Sequence, residues 1–235
     1  MRNYFTLAGV DSRDFGVYIS GQGTFSAPRR DYNMIPVPGR NGDIVGIEKR
    51  FENLYLTYPA FIYTNFDANI RDFRNFLLSL FGYQTLSDSY HVDEFRKVLF
   101  EGSFEPEVVK KNDAGSFDIT FNCKPQRFLN SGLTVTTLTS SDSITNPTLF
   151  DSQPLLRVYG DGQLGINTQT ITISNSGTYT DIDCEMMDCF EGAYNRNNRV
   201  EFSDYNFPVF KPGENAIGIG AGITQVEITP RWWRL

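Results

Sequence analysis

The 235-residue sequence has one histidine, two tryptophans, three cysteines and no apolar run approaching the ~20 residues that cross a bilayer. Each scarcity excludes something. A Ser-His-Asp or Cys-His device would have to be built around His91, which sits in the polar stretch SDSYHVDEF, and the chain contains no GxSxG nucleophile elbow. Cys123, Cys184 and Cys189 are odd in number and form no CxxC pair, so neither a disulfide framework nor a structural zinc site is expected, and a reducing compartment fits best. The opening MRNYFTLAGVDSRDFGVYISG alternates apolar and polar groups and lacks an apolar core of signal-peptide length. The expectation is a chain made and folded in cytoplasm, with no membrane partner. Positive charge is also short: 21 Lys and Arg stand against 28 Asp and Glu, for a net charge of −7. Phosphate backbones are gripped by clustered cations, and here the cations are scattered, so nucleic acid is not an expected ligand.

What the chain has in quantity is strand-forming material. Twenty Phe and twelve Tyr, with many Val, Ile and Thr interrupted by Gly, Asn and Pro, predict a mainly β protein. The strands expected first are YFTLAGV and GVYISG. One helix stands out over 67–81, where Ile70, Phe73, Leu77 and Leu80 recur at helical spacing, Thr64 with Asp67 resembles a capping box, and Gly82 marks the stop. Further on, FRKVLFEGSFEPEVVKK, the turn NDAG and SFDITFNCKP read as a hairpin, with Phe117, Ile119 and Phe121 on one face and Asp118 and Thr120 on the other. Residues 129–148 turn rich in Ser and Thr and poor in charge, and a domain boundary is placed there. The regularly spaced short strands beyond it suggest a β-sandwich of about a hundred residues.

Four stretches could carry chemistry. IPVPGRNGDIV at 35–45 is too tight for a Walker loop and leads into a strand. Asn41-Gly42 is a favoured type I′ pair, and the Pro-rich approach RRDYNMIPVP would hold the stretch extended, so it reads as the tip of a projecting hairpin arm. GIGAG at 218–222 lacks dinucleotide-loop spacing and reads as a hairpin connection. DIDCEMMD at 181–188 puts Asp181, Asp183 and Glu185 on one strand face, which is either a calcium row or, as favoured here, a solvated face. RWWRL at 231–235 could stack on a sugar or a partner, or place one tryptophan in a sandwich core and leave the other half exposed. No pair among the acids is singled out for glycoside cleavage.

In order and spacing, several of these segments together resemble the distal tail protein (Dit) family of long, flexible-tailed bacteriophages over nearly the whole chain. They are PGRNGD at 38–43, NIRDFRNFLLSL followed by YHVDEFRKVLFEGSFEPE, FDITFNCKPQRFL, NPTLFDSQPLLRVYGDG and GENAIGIGAGITQVEITPRWWRL. The resemblance implies an N-terminal β-sandwich-like domain over 1–130 with one helix and a hairpin arm, and a C-terminal galectin-like β-sandwich over 131–235. It further implies a non-enzymatic structural hub of the virion tail tip, without cofactor. Hexameric rings would join a tail-tube protein to a tail-associated tip protein and to receptor-binding proteins, after assembly in host cytoplasm. On that basis Pro38, Arg40, Asn41 and Asp43 are candidate contacts between subunits, and Trp232 and Trp233 a candidate partner surface. The alternative is a carbohydrate-binding adhesion module using Trp232 or Trp233 and the acids of the second domain. Sugar-binding galectins use a histidine that this domain lacks, so no lectin activity is carried over from the fold.

Overall fold

A computed structural model describes residues 2–21, 25–102, 105–109 and 113–235, and the chain divides into two compact units, 1–127 with Leu235 and 128–234. The first unit contains β1 (Phe5–Leu7), β2 (Val10–Asp11), β3 (Tyr18–Ile19), β4 (Arg30–Ile35), β5 (Ile44–Phe51) and β6 (Leu54–Ile62). After these come the helix α1 (Phe66–Ser79), β7 (Gln84–Asp88), β8 (Glu94–Leu99), β9 (Glu107–Val109) and β10 (Ala114–Leu129), whose last two residues belong to the second unit. The main sheet runs β2-β1-β7-β8-β10-β6-β3. Its two ends approach each other, since Asn3, just ahead of β1, bridges Ile19 of β3.

Period-two patterning builds this unit. Leu54, Leu56, Tyr58, Ala60 and Ile62 alternate with exposed residues along β6, opposite Phe117, Ile119, Phe121 and Cys123 of β10 in an antiparallel register of Ala60 with Phe117 and Leu56 with Phe121. Phe117, Ile119 and Phe121 are buried while Asp118 and Thr120 are exposed, as the alternation requires. Helix α1 closes the core with Phe66, Phe73 and Leu77, and Ile70 and Leu80 pack at its margin. Phe5 of β1 packs edge-on to Phe121 and stacks on Tyr58, so the sheet encloses its own aromatic centre.

The helix start differs from its expected capping box. Asn65 is the capping residue, in the left-handed region without a side-chain cap, and the Phe66 N–H donates instead to Asp113 at 3.2 Å. The expected NDAG turn supplies that acceptor. Its Asn112 lies outside the described residues.

The second unit contains β11 (Thr136–Leu138), β12 (Asp142–Asn146), β13 (Leu155–Gly160), β14 (Gly162–Ile166), β15 (Gln169–Ile173) and β16 (Thr180–Asp183). The remaining strands are β17 (Asp188–Glu191), β18 (Tyr194–Asn195), β19 (Val200–Phe202), β20 (Gly213–Ile219), β21 (Ile223–Thr229) and β22 (Trp233–Arg234). A six-stranded sheet, β11-β21-β13-β16-β17-β18, and a five-stranded one, β12-β20-β14-β15-β19, share one core. Leu156, Val158, Ile182, Val226 and Ile228 come from the first sheet, and Leu164, Ile166, Ile171, Ile173 and Ile217 from the second. This is a β-sandwich.

GIGAG is not a hairpin connection. Strands β20 and β21 belong to different sheets, so the glycines turn the chain from one layer to the other, as Gly160-Asp161-Gly162 does between β13 and β14. The two corners touch backbone to backbone: a Cβ on Gly160 would lie 2.1 Å from the Gly222 carbonyl oxygen, and one on Gly222 2.1 Å from that of Asp161. Both glycines also have positive φ, 97° and 92°, so close approach and conformation together demand the residue.

Candidate interaction surfaces

The expected arm exists as a separate two-stranded sheet. Strands β4 and β5 pair with each other and with no other strand among the described residues. The last pair is Ile35 with Ile44, leaving eight residues, 36–43, to close the ribbon. A type I′ turn at Asn41-Gly42 does not form, because Asn41 is not among the residues with positive φ. The tight turn is Val37-Pro38-Gly39-Arg40, in which the Arg40 N–H donates to the Val37 carbonyl at 3.2 Å and Gly39 has φ +79°. Pro38 pre-sets the first corner and Gly39 supplies the second, which is the chemistry of a type II turn. Proline and glycine outcompete the asparagine-glycine pair because the loop is too long for a two-residue closure.

Pro38, Arg40, Asn41 and Asp43 are all exposed and all lie in this tip. Neither the Arg40 nor the Asp43 side chain takes part in an ion pair or hydrogen bond among the described residues, so the tip presents a free cation and a free anion a few residues apart. Behind the tip the ribbon is apolar. Directly opposed residues share a face, so Met34 and Val45 with Tyr32 cover one side, and Ile35 and Ile44 the other. These five side chains are 44–53% exposed. Nearer the base, Arg30 stacks on Phe51 at 4.5 Å and Arg50 approaches Asp31 at 3.4 Å, polar contacts that stiffen the stem and leave the apolar faces bare. An isolated two-stranded ribbon is marginal in water, and one that is apolar on both faces gains from being covered.

The tryptophans part company. Trp232 is buried in the sandwich core beside Phe210, 5.8 Å between ring centroids, and therefore offers no surface to a partner. Trp233 is half-buried, stacked on Phe150 at 4.5 Å, with its indole N–H donated to the Asp151 carbonyl at 2.9 Å. Strand alternation sends the neighbours to opposite sides.

DIDCEMMD is not a solvated face. All four residues of β16 are buried, and the acids are held by arginines: Arg157 donates two hydrogen bonds to Asp181 at 2.7 and 2.9 Å, and Arg231 two to Asp183 at 2.7 and 2.8 Å. Asp183 also accepts the N–H groups of Glu185 and Met186, which pins the turn that presents exposed Met186 and Met187. Burial acts to raise the Asp183 carboxyl, but the Arg231 guanidinium and these N–H donors outweigh it and hold the group below the usual carboxylate range. Sequence alternation marked the acids and could not show the arginines, one of which lies 48 residues away. Among the described residues the His91 Nδ1 lies 3.3 Å from Asp88, and the neighbouring Ser89 hydroxyl accepts the Tyr4 N–H and donates to Asn3.

No protein-family model matches the chain. No curated protein matches either. Among solved structures, the Dit (gp 19.1) protein of phage SPP1, described as a paradigm of hub adsorption apparatus in phages infecting Gram-positive hosts, superposes over 100% of both chains with a TM-score of 0.75 at 12% identity. The chain has the fold of SPP1 Dit. Chains of the phage P2 baseplate in its activated conformation, with Ca or with Sr, align over 97% and 96% of each chain at TM-scores of 0.53 and 0.52, with 12% and 11% identity. A mainly β, single-helix Dit fold is thus shared where nearly nine in ten residues differ from SPP1 Dit.

Proposed function

We propose that the chain is a hub subunit of a phage tail tip or baseplate, a structural protein without catalytic activity. Copies assemble head to tail into a ring, six-fold by the resemblance to Dit, which joins the tail-tube protein to the tail-associated tip protein and offers attachment to receptor-binding proteins in the virion. The observation that carries this reading is the β4–β5 arm: a ribbon that leaves its own sheet, bares apolar side chains on both faces and ends in an unpaired Arg40 and Asp43. A closed ring needs two different surfaces on each subunit, and an arm laid on a neighbour is one of them. The full-length likeness to a hub protein supports the same role.

Light scattering of the purified chain, followed by negative-stain imaging of the same fraction, tests it. A ring with a central channel is expected, and Arg40→Glu weakens it while the subunit stays folded. A monomer at every concentration, with and without tail-tube protein, overturns the proposal. The adhesion-module alternative has lost Trp232 to the core and keeps Trp233, whose ring is already covered by Phe150.

A further inference from the structure

We propose that the outer face of the β15–β19 pair, in the second unit, is a binding site for a neutral carbohydrate, which stacks a sugar ring on Tyr205 and hydrogen-bonds to the polar side chains beside it. The alternation that sends Ile171 and Ile173 of β15 and Val200 of β19 into the core turns Thr170, Thr172 and Glu201 outward. Thr172 lies directly opposite Glu201, and Ser203, one residue past β19, continues the ladder by donating its N–H to the Thr170 carbonyl at 3.0 Å. Four polar side chains thus form a square on one face. With Tyr205 they line an open groove of about 660 Å³, within the span of about 300–1,000 Å³ usual for small-ligand sites.

The adjoining loop is built to display the tyrosine. Tyr205 is 96% exposed and holds φ at +59°, a left-handed position that a bulky side chain rarely takes. Its neighbours fix it there. The Gln169 amide donates to the Asp204 carboxylate at 2.6 Å and to the Asn206 carbonyl, Asp204 accepts the Asn206 N–H at 3.2 Å, and the Tyr205 N–H donates to the Phe202 carbonyl at 3.2 Å. In the groove itself the polar groups are left open. Among the described residues the hydroxyls of Thr170, Thr172 and Tyr205 and the Glu201 carboxylate make no hydrogen bond, and the Ser203 hydroxyl, which accepts the Thr170 N–H at 3.0 Å, keeps its proton to donate. Open donors and acceptors beside an aromatic face match a sugar, whose hydroxyls use both and whose C–H face is apolar. The lining holds one carboxylate and no Lys or Arg, so it repels phosphate and uronate, and the ligand is a neutral one.

The test is saturation-transfer difference NMR of the full chain with a panel of neutral hexose and N-acetylhexosamine oligosaccharides, to which uronate- and phosphate-bearing sugars are added. The strongest responder is then titrated calorimetrically into wild type, Tyr205→Ala, Tyr205→Phe, Thr172→Val and Tyr194→Ala, the last an exposed tyrosine of β18 outside the groove. Kd is expected to rise by roughly tenfold or more in Tyr205→Ala, which removes the stacking face. Thr172→Val, which removes one hydrogen bond, raises it several-fold. Tyr205→Phe keeps the ring and Tyr194→Ala lies elsewhere, so both stay within about threefold of wild type. Unchanged melting transitions are expected throughout, since none of these side chains belongs to the core. No saturation transfer from any member of the panel, a response confined to the acidic sugars, or a wild-type Kd in Tyr205→Ala overturns the proposal.

Discussion

Replacing Asp183 with asparagine would leave Arg231, partly buried, with only the longer pair to Glu185 at 3.7 Å, and breaking a buried pair costs about 3 kcal/mol, here reduced by the acid that remains. Urea denaturation is expected to show that loss near pH 7. The pH dependence follows from the direction of the shift. The folded-state pKa lies below the unfolded one, so the unfolded chain binds the proton more readily, and the contribution is full above the unfolded carboxylate range and fades as pH falls through the folded pKa. Wild type should therefore lose stability on acidification below about pH 4 more steeply than Asp183→Asn. The cysteines make a second prediction at this scale. All three are buried and free, and burial pushes the thiols up, to about 11 for Cys123 and about 12 for Cys189. A thiol reagent at pH 8 is expected to react only after denaturant is added; fast labelling of the native chain would show that the strands carrying them open readily.

Among the elements, the arm and the sheet-changing corners respond to glycine replacement in opposite ways. Gly39→Ala strains a left-handed position with open space around it, at a cost of about 1 kcal/mol confined to the ribbon. Gly222→Ala meets the Asp161 carbonyl as well, and is expected to destabilise the sandwich by more than about 2 kcal/mol in thermal or chemical melts. Met34→Asp with Ile44→Asp should leave the melting of the subunit within about 0.5 kcal/mol, since both side chains are exposed, and should abolish rings under negative stain. These elements also show what the sequence made legible. Periodicity located α1 and the inward set Phe117, Ile119 and Phe121, because burial writes itself into spacing. The arm was legible from its prolines. Its turn was misplaced by three residues because two valid turn signals, Pro38-Gly39 and Asn41-Gly42, compete within one loop, and only loop length decides between them. GIGAG misled for a different reason: a corner between layers and a hairpin have the same local chemistry, and the distinction lies in which strand pairs with which. Asp181 and Asp183 were misjudged because a buried carboxylate looks like an exposed one until its arginine is known.

For the whole molecule, two separate cores predict that the chain can be cut in two. Fragments 1–127 and 128–235 are each expected to give a cooperative thermal transition and a native-like circular dichroism spectrum. On the proposed function only the first fragment retains ring formation, since it carries the arm. Loss of ring formation by that fragment, with its fold intact, would assign the second unit a share in assembly. On the proposed function the ribbon would have one more effect, on how a ring is completed. In any open row of subunits joined arm to neighbour, one end leaves its apolar ribbon bare in water and the other leaves a receiving surface empty, however many copies the row contains. Closure removes both defects in a single step, so incomplete arcs are disfavoured against finished circles, and the population should pass from single subunits to whole rings with few species between.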